Sequence, residues 1–252
     1  MTGRSALVTG AGQGLGLAIS ARLARDGFRV TMGDVVAERV VAAATELAAQ
    51  GLDVRGCAMD VTDDESVAAA FADLDSLDVL VNNVGILSRT PAAEFTSAVW
   101  DREMAVNLGG TMRCSRTAHP LLLRSSAPSI VNLASVGSTF GLPGRVGYST
   151  AKSGILGLTR TLAAEWGRSG IRVNAVAPGY VETPMMVSGF ASGALDRDVL
   201  LSRTPLTRFG TVDDIAGAVA FLASADAAFI TGIVLKVDGG ITIDGSFAAP
   251  RH

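Results

Sequence analysis

The sequence predicts an α/β fold, a single domain over residues 1–252 in which a doubly wound, seven-stranded parallel sheet carries helices on both faces. Three observations predict it. Seven short β-branched or Leu-rich runs recur, Ala-rich segments of helical length separate them, and the apolar runs are continuous rather than alternating. Repeated strand-then-helix order implies parallel pairing through crossover helices. Continuous apolar runs fit strands covered on both faces.

The runs fall at 6–9, 28–33, 54–59, 79–81, 130–133, 173–176 and 234–237. Ahead of the helical segment 66–74 stands Thr62 or Asp63, and Thr211 precedes Asp213 and Asp214. Hydroxyls and carboxylates at these places meet the unpaired amides of a first helical turn. The rhythm breaks after 178, where Gly179, Pro184, Gly189, Gly193 and Pro205 are scattered among Tyr180, Met185, Met186 and Phe190. That composition predicts a mobile substrate lid over about 180–209 rather than regular elements. Internal repeats, low-complexity tracts and linkers are missing from the sequence.

Composition narrows the function. Hydrophobic residues make up 48% and charged residues 18% of the chain, below the ~25% charged content of an average soluble protein, so subunit burial in a homodimer or homotetramer is expected. Ile155, Leu158 and Leu162 with Gly154 and Gly157 offer a helix face for that self-packing. A formal net charge of -3 argues against nucleic acid or anionic lipid as partner. Cys57 and Cys114 are isolated and the histidines are only His119 and His252, which predicts neither a disulfide framework nor a metal site. With a strand-like run close to the start and no apolar stretch near ~18 residues, a cytoplasmic protein without a membrane span is expected.

The first strand leads into Thr9-Gly10-Ala11-Gly12-Gln13-Gly14-Leu15-Gly16 and then the helical pattern Leu17, Ile19, Leu23. Glycines let backbone approach a pyrophosphate, and a helix N-terminus offers free amides with partial positive charge. The spacing departs from Gly-x-Gly-x-x-Gly, because Leu15 occupies the last glycine position of that pattern. At the end of the second strand Asp34 can accept hydrogen bonds from an adenosine ribose and repel a 2′-phosphate, which favours NAD over NADP. Its plainer role is to hold the turn before a helix beginning at Ala37.

Tyr148 and Lys152 stand four residues apart in a chain with one further tyrosine, Tyr180, and one further lysine, Lys236. In a helix they share a face, and an ammonium beside a phenol would lower a pKa that starts near ~10, making the tyrosine a usable acid and base.

Together these residues resemble the classical short-chain dehydrogenase/reductase family. The similarity runs from Ala6 to Gly240 through the glycine turn, Asp60-Val61, Asn82-Asn83-Val84-Gly85, Asn107, Asn132-Leu133-Ala134-Ser135, Tyr148-x-x-x-Lys152, 174–179 and Val237-Asp238-Gly239-Gly240. Two departures stand out: Val84 replaces the usual alanine, with some crowding expected on the nicotinamide side, and the segment 60–82 is a few residues short.

The resemblance implies a Rossmann-like fold with Tyr148 as general acid/base and Ser135 as hydrogen-bond donor to the same substrate oxygen. It implies that Lys152 holds the nicotinamide ribose and, helped by the positive charge of oxidised nicotinamide, depresses the Tyr148 pKa, and that Asn107 positions a water linking Lys152 to solvent. Asp60 and Val61 would flank the adenine, Asn82 and Gly85 the adenosine and phosphate side, and Pro178, Gly179, Val181 and Thr183 the nicotinamide, alongside Gly10, Gln13, Gly14, Leu15, Gly16 and Asp34.

The activity expected is NAD-dependent interconversion of a secondary alcohol and a ketone. Two alternatives are a 3-oxoacyl thioester reductase, against which Asp34 and the acidic balance count, and a dinucleotide-sensing regulator, which needs no proton path. Val136, Phe140, Leu142, Ile86, Leu87, Tyr180, Met185, Met186 and Phe190 point to a neutral, hydrophobic substrate, with Arg89 and Arg145 read as solvated surface.

Overall fold

The computed structural model describes residues 3–245; His252 and both ends of the expected 1–252 domain lie outside the described residues. Strands β1 (Ser5–Thr9), β2 (Arg29–Asp34), β3 (Val54–Ala58), β4 (Val79–Asn82), β5 (Ser129–Leu133), β6 (Arg172–Pro178) and β7 (Val234–Val237) form one sheet in the order β3-β2-β1-β4-β5-β6-β7. Every pairing is parallel. The order reverses between β1 and β4, which leaves a crevice at the carboxyl ends of the strands.

Helices α1 (Gly14–Arg25), α2 (Ala37–Ala48), α3 (Asp64–Phe71), α4 (Ser97–Met104), α5 (Gly110–Leu122), α6 (Val146–Trp166), α7 (Pro184–Ala191), α8 (Arg197–Ser202) and α9 (Val212–Ala223) complete the chain. One core joins Val8, Val30, Met32 and Val81 of the sheet to Ile19 and Leu23 of α1, Val40 of α2 and Ile215 and Val219 of α9. The other joins Leu7, Leu80, Ile130 and Val173 to Val67 of α3, Cys114 and Leu122 of α5 and Leu162 of α6. Alternate strand residues therefore serve opposite faces, and both faces are dry, as continuous apolar runs require.

Capping chemistry sets several helix starts. The Asp63 carboxylate accepts from the Glu65 and Ser66 amides at α3. At α9, Thr211 and Asp214 form a reciprocal capping box.

Two expectations are corrected. The stretch taken for an irregular lid holds two helices, α7 and α8. Thr183 caps the first, with Pro184 in its opening turn, and Asp196 caps the second by accepting from Asp198 and Val199. Met186, Leu200 and Phe209 give the region a small core of its own. Part of the α6 face expected to pair between subunits is consumed internally: Ile155 and Leu162 are 0% and 3% exposed, and a Cβ on Gly154 would lie 2.8 Å from Leu108. Leu158 is only half-buried, and Gly157 has open space beside it.

Among the described residues, no helix is long and apolar enough to cross a membrane, and no cluster of three or more His, Cys, Asp or Glu could hold a metal ion.

Candidate active site

A cavity of about 600 Å³ opens at the crevice between β1 and β4. Gly10, Gln13, Gly14 and Leu15 line one end with Asp34, Asp60 and Val61; Ser135, Tyr148, Lys152 and residues 178–186 line the other.

At the first end, Gly10 and Gly14 take φ of 64° and 55°, a left-handed geometry natural only to glycine. Gly16 lets α1 close on the turn, since a Cβ there would come within 2.6 Å of Asn83 Nδ2; it lies beneath the cavity instead of lining it. The first turn of α1 has no acidic residue and no side-chain cap from Gln13, so its amides remain available to an anion. This cradle fits a dinucleotide pyrophosphate.

Asp34 is buried and held from three directions. Its carboxylate accepts from the Gly12 amide at 3.1 Å and the Val36 amide at 3.0 Å, and it pairs with the Arg39 guanidinium at 2.8 Å. The turn-holding role is thus present together with a position on the cavity wall. Arg39 went unread in the sequence. It also lines the cavity, and its Nε has no acceptor. Asp60 divides its work in the same way: its carboxylate accepts from the Thr62 amide and hydroxyl, and these bonds hold it below the usual carboxylate range, the amide first.

Asn82, expected at the adenosine and phosphate side, does not line the cavity, and its neighbour Asn83 does. Successive residues at a strand end point to opposite sides. Asn83 lines the cavity and clamps the glycine turn, donating to the Thr9 and Gly10 carbonyls at 2.9 and 3.1 Å. Asn82 turns inward and donates to Ser115 Oγ and Asn132 Oδ1, while Asn132 donates to Thr159. Val84 packs against Gly10, where a Cβ would be 3.1 Å from its methyl, so its bulk falls on the glycine turn.

At the other end, β5 delivers Ser135 just past its carboxyl terminus, and α6 presents Tyr148 and Lys152 on one face. The Ser135 hydroxyl lies beside the Tyr148 phenol, close enough to favour its ionised form, and accepts from the Gly137 amide at 3.0 Å. The Lys152 ammonium, however, reaches the Leu133 carbonyl at 2.6 Å and lies 5.9 Å from the tyrosine ring centre.

Among the protein's own groups the phenol shift runs the other way. Burial raises the Tyr148 pKa above its ordinary value, the Ser135 hydroxyl and the Arg145 charge oppose the rise, and Glu103 adds to it. The nearby cation that favours phenolate is Arg145, three residues upstream. Burial lowers Lys152 itself from 10.5 to about 8.

Asn107 sits in a π-turn (Ala105–Gly109) between α4 and α5, a distortion often found at functional sites. Its side chain accepts from the Ile86 amide at 2.8 Å and donates to the Ile86 carbonyl at 3.0 Å. It does not line the cavity, but it borders Gly85: a Cβ there would meet Asn107 Oδ1 at 3.3 Å and Lys152 Nζ at 3.4 Å. Pro178 ends β6, and Gly179 lies against the Asp238 backbone, 2.7 Å from where a Cβ would stand. Val181 bridges to Gly210, and the Thr183 hydroxyl is engaged with the Met186 amide at 3.4 Å.

Of the apolar residues expected around the substrate, Ile86, Leu87, Val136, Leu142, Tyr180, Met185 and Met186 line the cavity. Phe190 instead packs on Phe209, with ring centres 5.9 Å apart. Arg89 and Arg145, read from the sequence as solvated, also line it.

Comparison with known proteins agrees with this architecture. Residues 10–242 match the family model described as enoyl-(acyl carrier protein) reductase. Gluconate 5-dehydrogenase of Gluconobacter oxydans is 37% identical over 247 residues, covering 96% of each chain. The 3-oxoacyl-(acyl-carrier-protein) reductase of Staphylococcus aureus is 39% identical over 243 residues, covering 94% of this chain and 98% of its own. A solved structure from Beutenbergia cavernae, provisionally identified as an NAD(P)-dependent gluconate 5-dehydrogenase and holding NADP at low occupancy, superposes with a TM-score of 0.90 at 36% identity, covering 96% of this chain and 97% of its own.

Proposed function

The chain belongs to the short-chain dehydrogenase/reductase family of oxidoreductases, and from that premise we propose that it interconverts a secondary alcohol and a ketone, with NAD(H) as the preferred cofactor. One observation carries the proposal. Ser135 and Tyr148 stand beside each other on the wall of a cavity whose far end is a phosphate cradle, so a substrate oxygen between them meets a donor and an acid/base group together.

When bound, nicotinamide supplies the hydride acceptor or donor. Tyr148 takes the carbinol proton in oxidation and returns it in reduction, while Ser135 holds the same oxygen. Lys152, at about 8, exchanges a proton readily near neutrality, and Asn107 fixes the 85–86 backbone beside it; the proton path to solvent is proposed to run through a water at this point. Gly10, Gln13, Gly14 and Leu15 take the pyrophosphate, Asp60 and Val61 the adenine, and Val181 and Thr183 the nicotinamide side. Gly16 and Asn82 support the turn and the strand end from behind.

Asp34 supports NAD, because a fixed carboxylate meets a 2′-phosphate with like charge. Its ion pair with Arg39 offsets part of that charge, so discrimination against NADP should be weaker than a lone carboxylate would give. The thioester reductase of Staphylococcus aureus keeps that reaction as a second reading.

Formation of reduced nicotinamide across secondary alcohols, polyols, hydroxy acids and hydroxyacyl thioesters, with NAD and NADP in parallel, tests both. Turnover of an alcohol with NAD preferred supports the proposal. Turnover confined to thioesters, or a clear NADP preference, overturns it.

A further inference from the structure

Two cationic side chains at the substrate end have no contact with substrate in that scheme. Arg89 follows β4 and Arg145 immediately precedes α6, and both line the cavity beside Ile86, Leu87, Leu142 and Met185. The Thr90 amide donates to the Gly144 carbonyl at 3.0 Å, joining their loops. Burial and like charge both act on Arg89, whose pKa is lowered by burial first and then by Arg145.

Neither arginine forms an ion pair among the described residues. Arg89 donates to Ser188 Oγ at 3.3 Å and to the Met185 carbonyl at 3.1 Å, but its Nε is buried without an acceptor. Arg145 donates to the Pro143 carbonyl at 3.1 Å. Glu103 is buried nearby, with one oxygen accepting from the Ser88 amide and the other unpartnered. Glu103 pairs with neither arginine and does not line the cavity, so among the described residues no carboxylate on the wall at this end answers the two guanidiniums, and a buried guanidinium donor without an acceptor is costly.

Resting on the oxidoreductase reading, we propose that Arg89 and Arg145 form an anion subsite and that the substrate is a hydroxycarboxylate, its carboxylate on the two guanidiniums and its carbinol at Ser135 and Tyr148. A planar carboxylate matches the guanidinium fork. Arg145 shares the cavity wall with Tyr148, and its charge acts on the phenol. The acid's carbon skeleton lies on Ile86, Leu87 and Leu142, and one negative charge answers the cationic pair. This replaces the neutral substrate expected from the apolar residues alone.

Calorimetric titration of the NADH-saturated protein with short linear and cyclic hydroxycarboxylates and their primary amides reads binding without turnover, and steady-state rates for the same pairs follow. The acids should bind about tenfold or more tighter than the amides. Arg89→Met and Arg145→Met should each lower kcat/KM for the acid roughly 30-fold more than for the amide, and Arg89→Lys should recover part of the difference. Equal losses on acid and amide would assign Arg89 to supporting α7 alone and overturn the proposal, as would amides binding as tightly as acids or no acid binding at all. Arg89-dependent binding of acids that are never oxidised would keep the subsite and remove the oxidoreductase reading instead.

Discussion

Replacing Lys152 by methionine should stabilise the fold while removing its activity. The side chain is 3% exposed, and burial alone moves its ammonium from 10.5 to about 8. Each pH unit of that displacement corresponds to about 1.4 kcal/mol, so at pH 7 the charged form weakens the fold by roughly 3 kcal/mol relative to an exposed lysine. Methionine fills similar volume without charge, but it leaves the Leu133 carbonyl without the 2.6 Å hydrogen bond it now accepts, a loss of about 1 to 2 kcal/mol. The net gain is therefore about 1 to 2 kcal/mol, or a rise in Tm of several degrees for a chain of this size.

The sign with pH is specific. A lysine whose folded pKa is depressed leaves the unfolded state binding more protons between about 8 and 10.5, so stability rises with pH across that window. Between pH 7 and 9 the parent protein should gain about 1 kcal/mol that Lys152→Met does not, and the advantage of the variant should shrink accordingly. Urea unfolding of both proteins at the two pH values reads this directly. A variant less stable than its parent at pH 7, or a difference that does not change with pH, would refute the burial argument.

Asp34→Ala should raise the NADP-to-NAD ratio of kcat/KM by roughly 10- to 100-fold, because it removes the like charge and frees Arg39; an unchanged ratio would leave Asp34 only its turn-holding bonds to Gly12 and Val36. Thr211→Ala removes the capping box of α9 and should cost about 1 kcal/mol in denaturant unfolding, with steady-state kinetics little altered.

The strands were readable because a doubly covered parallel sheet demands continuous apolar runs, and the observed bounds differ from the expected ones by a residue or two. The glycine turn and Asp34 were readable because their constraint is local: positive φ and a strand end. Helices α7 and α8 were hidden by Gly189 and Gly193, although Thr183-Pro184 and Asp196 carry ordinary capping signals.

Spacing put Lys152 on the same face as Tyr148, but it could not show that the ammonium turns to the Leu133 carbonyl. Nor could it decide which of Asn82 and Asn83 faces inward, since a one-residue change in strand end exchanges them. Arg39, Arg89 and Arg145 were missed for a common reason. A long side chain ends far from its own backbone, and its partners are set by tertiary packing. The one local hint was that Arg145 precedes Tyr148 by three residues.

The central claim is that Tyr148 is the acid/base group of a hydride-transfer enzyme, and the most direct measurement compares Tyr148→Phe with the parent protein on two readouts, oxidation of the best substrate and NADH binding by fluorescence. A fall in kcat of at least about 100-fold is expected with NADH affinity within about twofold, because the phenol hydroxyl acts on the substrate oxygen while the cradle at Gly10 and Gly14 holds the cofactor. Turnover within about tenfold of the parent's would contradict the claim.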